Sequence, residues 1–155
     1  MLIYKLHRIV IYLLNECYPI RMQQLSTADI ANKCQCSNFI GVFAIDALPP
    51  ARRLPNKCKF IVNTQPHNLP GEHWLAVYGN IIFDPLGICY PETLVDYLLQ
   101  RYDNIKTNHG HHYQSVWDSK ACGYFCLYFL HYGVDNLLDN AFFHNLRIIS
   151  SSVFH

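Results

Sequence analysis

The sequence predicts an α+β fold. Three observations point there: a hairpin centred on Gly79-Asn80, a strongly apolar helical run at 121–133, and strands that do not alternate regularly with crossover helices.

Taken in order, "STADIANKC" offers Ser26 or Thr27 as an N-cap before apolar Ala28, Ile30 and Ala31, so a short helix starts there. "NFIGVFAIDAL" reads as a strand with a bend at Gly41. Three prolines make "PPARRLPNK" a loop, and "CKFIVNT" is β-rich and short enough for a buried strand. "HWLAVY" and "IIFDP" flank Gly79-Asn80, a pair suited to a tight primed turn. "PETLVDYLLQRY" carries Pro91 at its start, Glu92 in its first turn and a stripe of Leu94, Tyr97, Leu98 and Tyr102, which together predict a helix. "DNIKTNHGHHYQSVWDSK" reads as a strand-poor linker in which only "HHYQSV" suggests a short strand. "ACGYFCLYFLHYG" predicts a buried helix capped by Gly133, and "DNLLDNAFFHNLRIISS" predicts one more helix.

With 155 residues, 51% hydrophobic and only 15% charged, the chain fits one globular domain with its own core. Twelve Lys+Arg against 11 Asp+Glu give a net charge of +1, so overall charge does not point to nucleic acid. Seven cysteines without a secretory signal suggest free thiols in an intracellular setting. The uncharged run Ile9–Leu14 is too short to span a membrane. The regular pattern begins near Met22, which suggests an appendage over 1–21 and a single domain over 22–155.

The hairpin has chemical content. If Gly79 and Asn80 form the whole turn, Leu75 faces Asp84 and His73 faces Leu86. His73 and Asp84 are then diagonal neighbours on the face of Leu75, Val77 and Ile82, about 7–8 Å apart at Cα. A carboxylate at that distance can hold one imidazole nitrogen and leave the other to act as a base. Taken alone, the pair reads more readily as a surface His–Asp contact on a hairpin. Its apolar neighbours argue otherwise, because a titratable pair on an apolar face needs a reason.

Cys122 stands where a polar loop becomes the most apolar helix. A thiol at a helix start feels the positive dipole end, and the first-turn N–H groups can donate to an oxyanion. Gly123 has no Cβ, so a substrate backbone could come close. Cys126, one turn further, reads as core. Gln114, eight residues before Cys122, could donate its amide to the same oxyanion.

These elements together, "FIVNT", "GEHWLAVY", "FDPLG" and "QSVWDSKACGYFCLYFLHYG", resemble the adenovirus maturation protease (adenain) family. That family includes proteases of Maverick/Polinton elements and related DNA viruses, and its wider clan holds the SUMO and other ubiquitin-like-protein proteases. The likeness covers about residues 26–150. It implies a papain-like core with a mixed central sheet between helices and the nucleophile at the start of a buried helix. It further implies Cys122 as nucleophile, His73 as general base and acid, Asp84 as its orienter, and Gln114 with the Cys122 N–H as oxyanion hole. Trp74 and Gly123 would flank a narrow substrate cleft suited to Gly or other small residues. The substrates implied are capsid or core precursor proteins, cut by a monomer in the host nucleus or virion, with no membrane partner. The resemblance also implies an activating viral peptide, although no cysteine of this chain can be assigned to a link with it. The family's DNA cofactor is not expected from a chain lacking the adenovirus enzyme's basic excess. The Gln–Cys gap is about one residue longer than the family's usual spacing, and Trp117 occupies a nearby alternative slot for the oxyanion donor.

Two other readings stay open at this stage. One is a ubiquitin-like-protein protease of the same clan. The other is a non-catalytic zinc-binding or interaction module built on Cys34, Cys36 and the "HGHH" of His109, His111 and His112, although that spacing matches no common structural zinc pattern. The sequence itself requires no cofactor and assigns no metal to the proposed catalytic residues.

Overall fold

Ser26 opens the first helix, as the sequence suggests. Its Oγ accepts the Asp29 N–H at 3.1 Å while the Asp29 carboxylate accepts the Ser26 N–H at 2.9 Å, a reciprocal box that starts α1 (Thr27–Lys33). The structure, a computed structural model, describes residues 24–71, 73–88, 90–110, 112–113, 120–133 and 147–150. The expected appendage over 1–21, the oxyanion candidates Gln114 and Trp117, and most of the last expected helix lie outside them.

The described residues form a six-stranded mixed sheet in sequential order: β1 (Phe39–Ala44), β2 (Lys59–Asn63), β3 (Trp74–Tyr78), β4 (Ile81–Phe83), β5 (Asn104–Thr107) and β6 (Arg147–Ser150). β1 runs parallel to β2, β4 parallel to β5, and the other neighbouring pairs are antiparallel. The β1–β2 register slips between Phe39 and Gly41, where the sequence predicts a bend. The connection from β1 to β2 is the proline-rich loop, which contains a 3₁₀ turn at Ala51–Arg53. All five residues of β2 are buried, the apolar Phe60, Ile61 and Val62 together with Lys59 and Asn63 at its ends.

Alternation along β3 splits the core into two layers. Leu75 and Val77, with Phe60, Val62 and Ile82, pack against Leu94, Val95 and Leu98 of α2 (Glu92–Leu99). Trp74 and Ala76, with Ile61 and Phe83, pack against Ile30 of α1 and against α3 (Cys122–Tyr128). The sheet thus lies between helices, an α+β architecture. Among the described residues no helix is long and apolar enough to cross a membrane.

Three expectations need correction. The stretch read as a strand-poor linker contains β5. Its alternation is real but carried by few apolar atoms: Ile105 and Thr107 are buried, Asn104 and Lys106 are not. Tertiary pairing places it, because Asn80 O accepts the Lys106 N–H at 2.8 Å and the Asn80 amide donates to Asn104 O at 3.2 Å. The end of the last expected helix is strand β6, where Ile149 pairs with Ile105 across an antiparallel ladder that suits β-branched residues. The apolar run at 121–133 is not one α-helix throughout, since α3 gives way to a π-turn at Phe129–Gly133.

Candidate active site

The hairpin turn forms at Gly79-Asn80, with Tyr78 opposite Ile81 and Ala76 opposite Phe83. Gly79 takes φ +54°, which favours glycine at the first central position of a primed turn. Extended by one pair, this register sets Leu75 opposite Asp84, as the turn arithmetic requires. His73 Nε2 and Asp84 Oδ1 are 2.6 Å apart.

The face expected for this pair is corrected. Leu75, Val77 and Ile82 turn toward α2, on the side of the sheet away from the cysteine helix. His73 precedes the first residue of β3 and Asp84 follows the last residue of β4. Beyond the strand ends the pleat no longer dictates direction, so the pair gathers at the rim of the sheet, where α3 begins. There Cys122 comes close enough to His73 to act on its ionisation. With Nε2 engaged by Asp84, Nδ1 is the ring nitrogen left for another partner.

The segment "DPLG" explains how the carboxylate is held. Pro85 presets a turn, and Gly87 closes it at φ +62° with its N–H on Asp84 O at 2.9 Å. The chain then folds back over the side chain. Asp84 Oδ1 also accepts the Leu86 N–H at 2.9 Å, and Oδ2 accepts the Ile88 N–H at 3.0 Å. From the other side Asn108 clamps the Asp84 backbone, its Oδ1 accepting the N–H at 2.7 Å and its Nδ2 donating to the carbonyl at 2.6 Å. The Asp84 side chain is 6% exposed and that of His73 18%. A carboxylate fixed by three donors leaves the imidazole little freedom to rotate.

Burial disfavours a charged His73. The hydrogen bonds to Asp84 and Cys122 and the charges of the same two groups outweigh it, and the His73 pKa is pushed up to about 9. His73 is therefore a cation near neutral pH. Cys122 is fully buried, so a substrate must displace whatever covers the sulfur. It is the first residue of α3, whose opening N–H groups have no intrahelical acceptor. Cys126 is core, as expected: it is buried, its thiol donates to Trp74 O at 3.3 Å, and burial holds its pKa well above the ordinary thiol range.

Comparison with protein-family models and with curated proteins finds no match.

Of the two expected cleft residues, Trp74 does line one. A cleft of about 400 Å³ runs between the start of α1 and the ends of β1 and β2, with Leu25, Ser26, Asn63, Gln65 and Trp74 in its walls. The Trp74 indole donates to Leu25 O at 3.3 Å. Like Cys122, Gly123 is not among the wall residues of the cleft. A Cβ there would sit 3.3 Å from Leu25 and 3.4 Å from Ile30, so Gly123 serves close packing of α1 on α3.

Sequence reasoning missed Asn108 and Asn63. Asn108 lies in the polar run after β5 and carries no pattern of its own. Asn63 is 6% exposed at the end of β2; its Oδ1 accepts the Gln65 N–H at 2.9 Å while its buried Nδ2 has no partner among the described residues. The zinc grouping of the Cys34–Cys36 pair with "HGHH" is also corrected. His109 packs edge-on against Tyr90, and His112 Nδ1 bonds Leu86 O, both on the Asp84 side; His111 lies outside the described residues.

Proposed function

We propose that the protein is a cysteine endopeptidase of the adenain type that cuts capsid or core precursor proteins of a virus or virus-like element. The observation that carries this reading is one imidazole joined to a buried carboxylate through Nε2, its ionisation raised also by a thiol at the start of a buried helix. The order His73, Asp84, Cys122 and the sequence elements around them support the same assignment.

In this mechanism Cys122 Sγ attacks the peptide carbonyl carbon, and the thiol proton is held on His73 Nδ1. The carbonyl oxygen becomes an oxyanion, which the Cys122 N–H and the Gln114 amide stabilise. Collapse breaks the C–N bond, and His73 gives its proton to the departing amine. Water then attacks the thioester as His73 takes its proton, which releases the acid and restores the thiol. Asp84 keeps the ring oriented throughout. By the family resemblance the substrate lies beside Trp74, with small residues next to the cut. An activating peptide belongs to the same family-based proposal.

The test uses the full chain with denatured precursor proteins, Gly-Gly-x peptides and folded ubiquitin-like precursors. Cleavage of the first two that disappears in Cys122→Ala, with circular dichroism unchanged, is the expected result. Cleavage that persists in Cys122→Ala overturns the assignment. Cleavage of the folded ubiquitin-like precursors alone moves the protein to the other branch of the clan.

A further inference from the structure

The residues of the proposed protease leave one chemical cluster unused. Cys34 is the C-cap residue of α1, its N–H bonding Ile30 O at 2.9 Å, and Cys36 follows two positions on. Their sulfurs are 3.1 Å apart. His131 reaches the same place from the π-turn after α3. One ring nitrogen of His131 and the two sulfurs all lie within 4.8 Å of one another, and all three residues are half-buried.

The surroundings suit a ligand set. His131 Nε2 faces the Cys34–Cys36 loop and acts as acceptor toward the Gln35 N–H at 3.4 Å, a long and weak bond. The Lys33 backbone also lies close enough to act on the ring. With Nε2 the acceptor, the proton resides on Nδ1. The π-turn supplies the aim. A five-residue turn advances the chain differently from an α-turn, and such turns are frequent at functional sites. Lys59 lies close by, and two thiolates around a divalent ion make a neutral unit that its ammonium does not oppose.

We propose that Cys34, Cys36 and His131 bind a thiophilic divalent cation of the zinc class, with water or a further side chain as fourth ligand. Zn–S bonds of about 2.3 Å set tetrahedral sulfurs somewhat wider than in the structure, a change within reach of one side-chain rotation. The ion ties the end of α1 to the turn after α3. Since α1 packs on Gly123 through Ile30, it braces the cysteine helix from outside the reaction centre.

The experiment is Co²⁺ titration of the reduced full chain, followed by Zn²⁺ displacement and elemental analysis after dialysis. Thiolate-to-cobalt absorption with tetrahedral ligand-field bands, saturating at one ion per chain and erased by Zn²⁺, is expected. Both signals disappear in C34S/C36S and persist in Cys58→Ser. If the double variant does not fold, His131→Gln decides, with an altered cobalt spectrum and weakened binding expected. No thiolate–cobalt absorption in the parent chain, a Cys34–Cys36 disulfide in place of metal, or an unchanged spectrum in His131→Gln overturns the proposal. None of these readouts depends on peptidase activity.

Discussion

Asp84→Asn separates an orienting carboxylate from a surface ion pair. Three donors converge on the wild-type group: His73 Nε2–H and the Leu86 N–H on one oxygen, the Ile88 N–H on the other. An asparagine offers one acceptor oxygen and two N–H donors. In either orientation of the amide a donor meets a donor, which strands a buried N–H at a cost of about 1–3 kcal/mol. The larger effect falls on His73. Its pKa stands at about 9 against an ordinary 6.5, a difference worth about 3 kcal/mol between its two protonation states. The folded-state value is raised, so this stabilisation is complete below the unfolded pKa near 6.5 and is lost as pH climbs through about 9. Burial pulls the other way, and Asp84 is the foremost group opposing it. Urea unfolding across that pH window should show wild-type stability declining by up to about 3 kcal/mol relative to Asp84→Asn, whose own profile is much flatter. The His73 ring resonance, followed by NMR, should titrate lower in the variant. Parallel pH profiles for the two proteins, or an unmoved resonance, would refute the reasoning.

Asn108→Ala strands the buried Asp84 N–H while Gly87 still serves the carbonyl, so stability should drop by about 1–3 kcal/mol and the His73 titration should broaden or shift; calorimetry and NMR check the two parts. Ser26→Ala removes the side-chain half of the α1 box, keeps the backbone N–H on the Asp29 carboxylate, and should cost about 1 kcal/mol in chemical denaturation, leaving the His73 titration in place. Native Cys126 should resist alkylation at mildly alkaline pH, because burial holds its thiol far above the ordinary range; rapid labelling seen by peptide mass mapping would contradict that. Cys126→Ala should keep peptide cleavage, measured as initial rate, since the thiol touches Trp74 O and not the reacting groups.

Much of this site was legible because its first two members lie on one hairpin. Turn chemistry at Gly79-Asn80 determines register, and register determines which residues become diagonal neighbours. The same arithmetic failed to give the face, since it extended the pleat past the places where β3 and β4 stop. Strand ends are set by partners, and here β5 is short and the DPLG turn intervenes. β5 itself was hidden because four residues with one aliphatic side chain look like a linker until Asn80 supplies the docking bonds. Arg147–Ser150 illustrates the opposite case: the adjacent β-branched residues in "RIIS" favour a strand, a signal the helix reading of the segment did not use. The approach of His131 to Cys34 and Cys36 had no local signal at all, since it arises from packing α1 against α3 across more than half the chain.

Placing His73 and Asp84 eleven positions apart on one hairpin, with Cys122 on a separate helix, has a consequence during biosynthesis. The base and its orienter can meet as soon as a local loop closes, well before the chain has ended. The sulfur joins them only when α3 settles on the finished sheet, a long-range contact that comes late and at greater entropic cost. A nascent or partly folded chain therefore carries a thiol with no partner base. For the proposed protease, such a division of labour would keep an unfinished chain harmless to its neighbours and make completion of the fold the event that arms it.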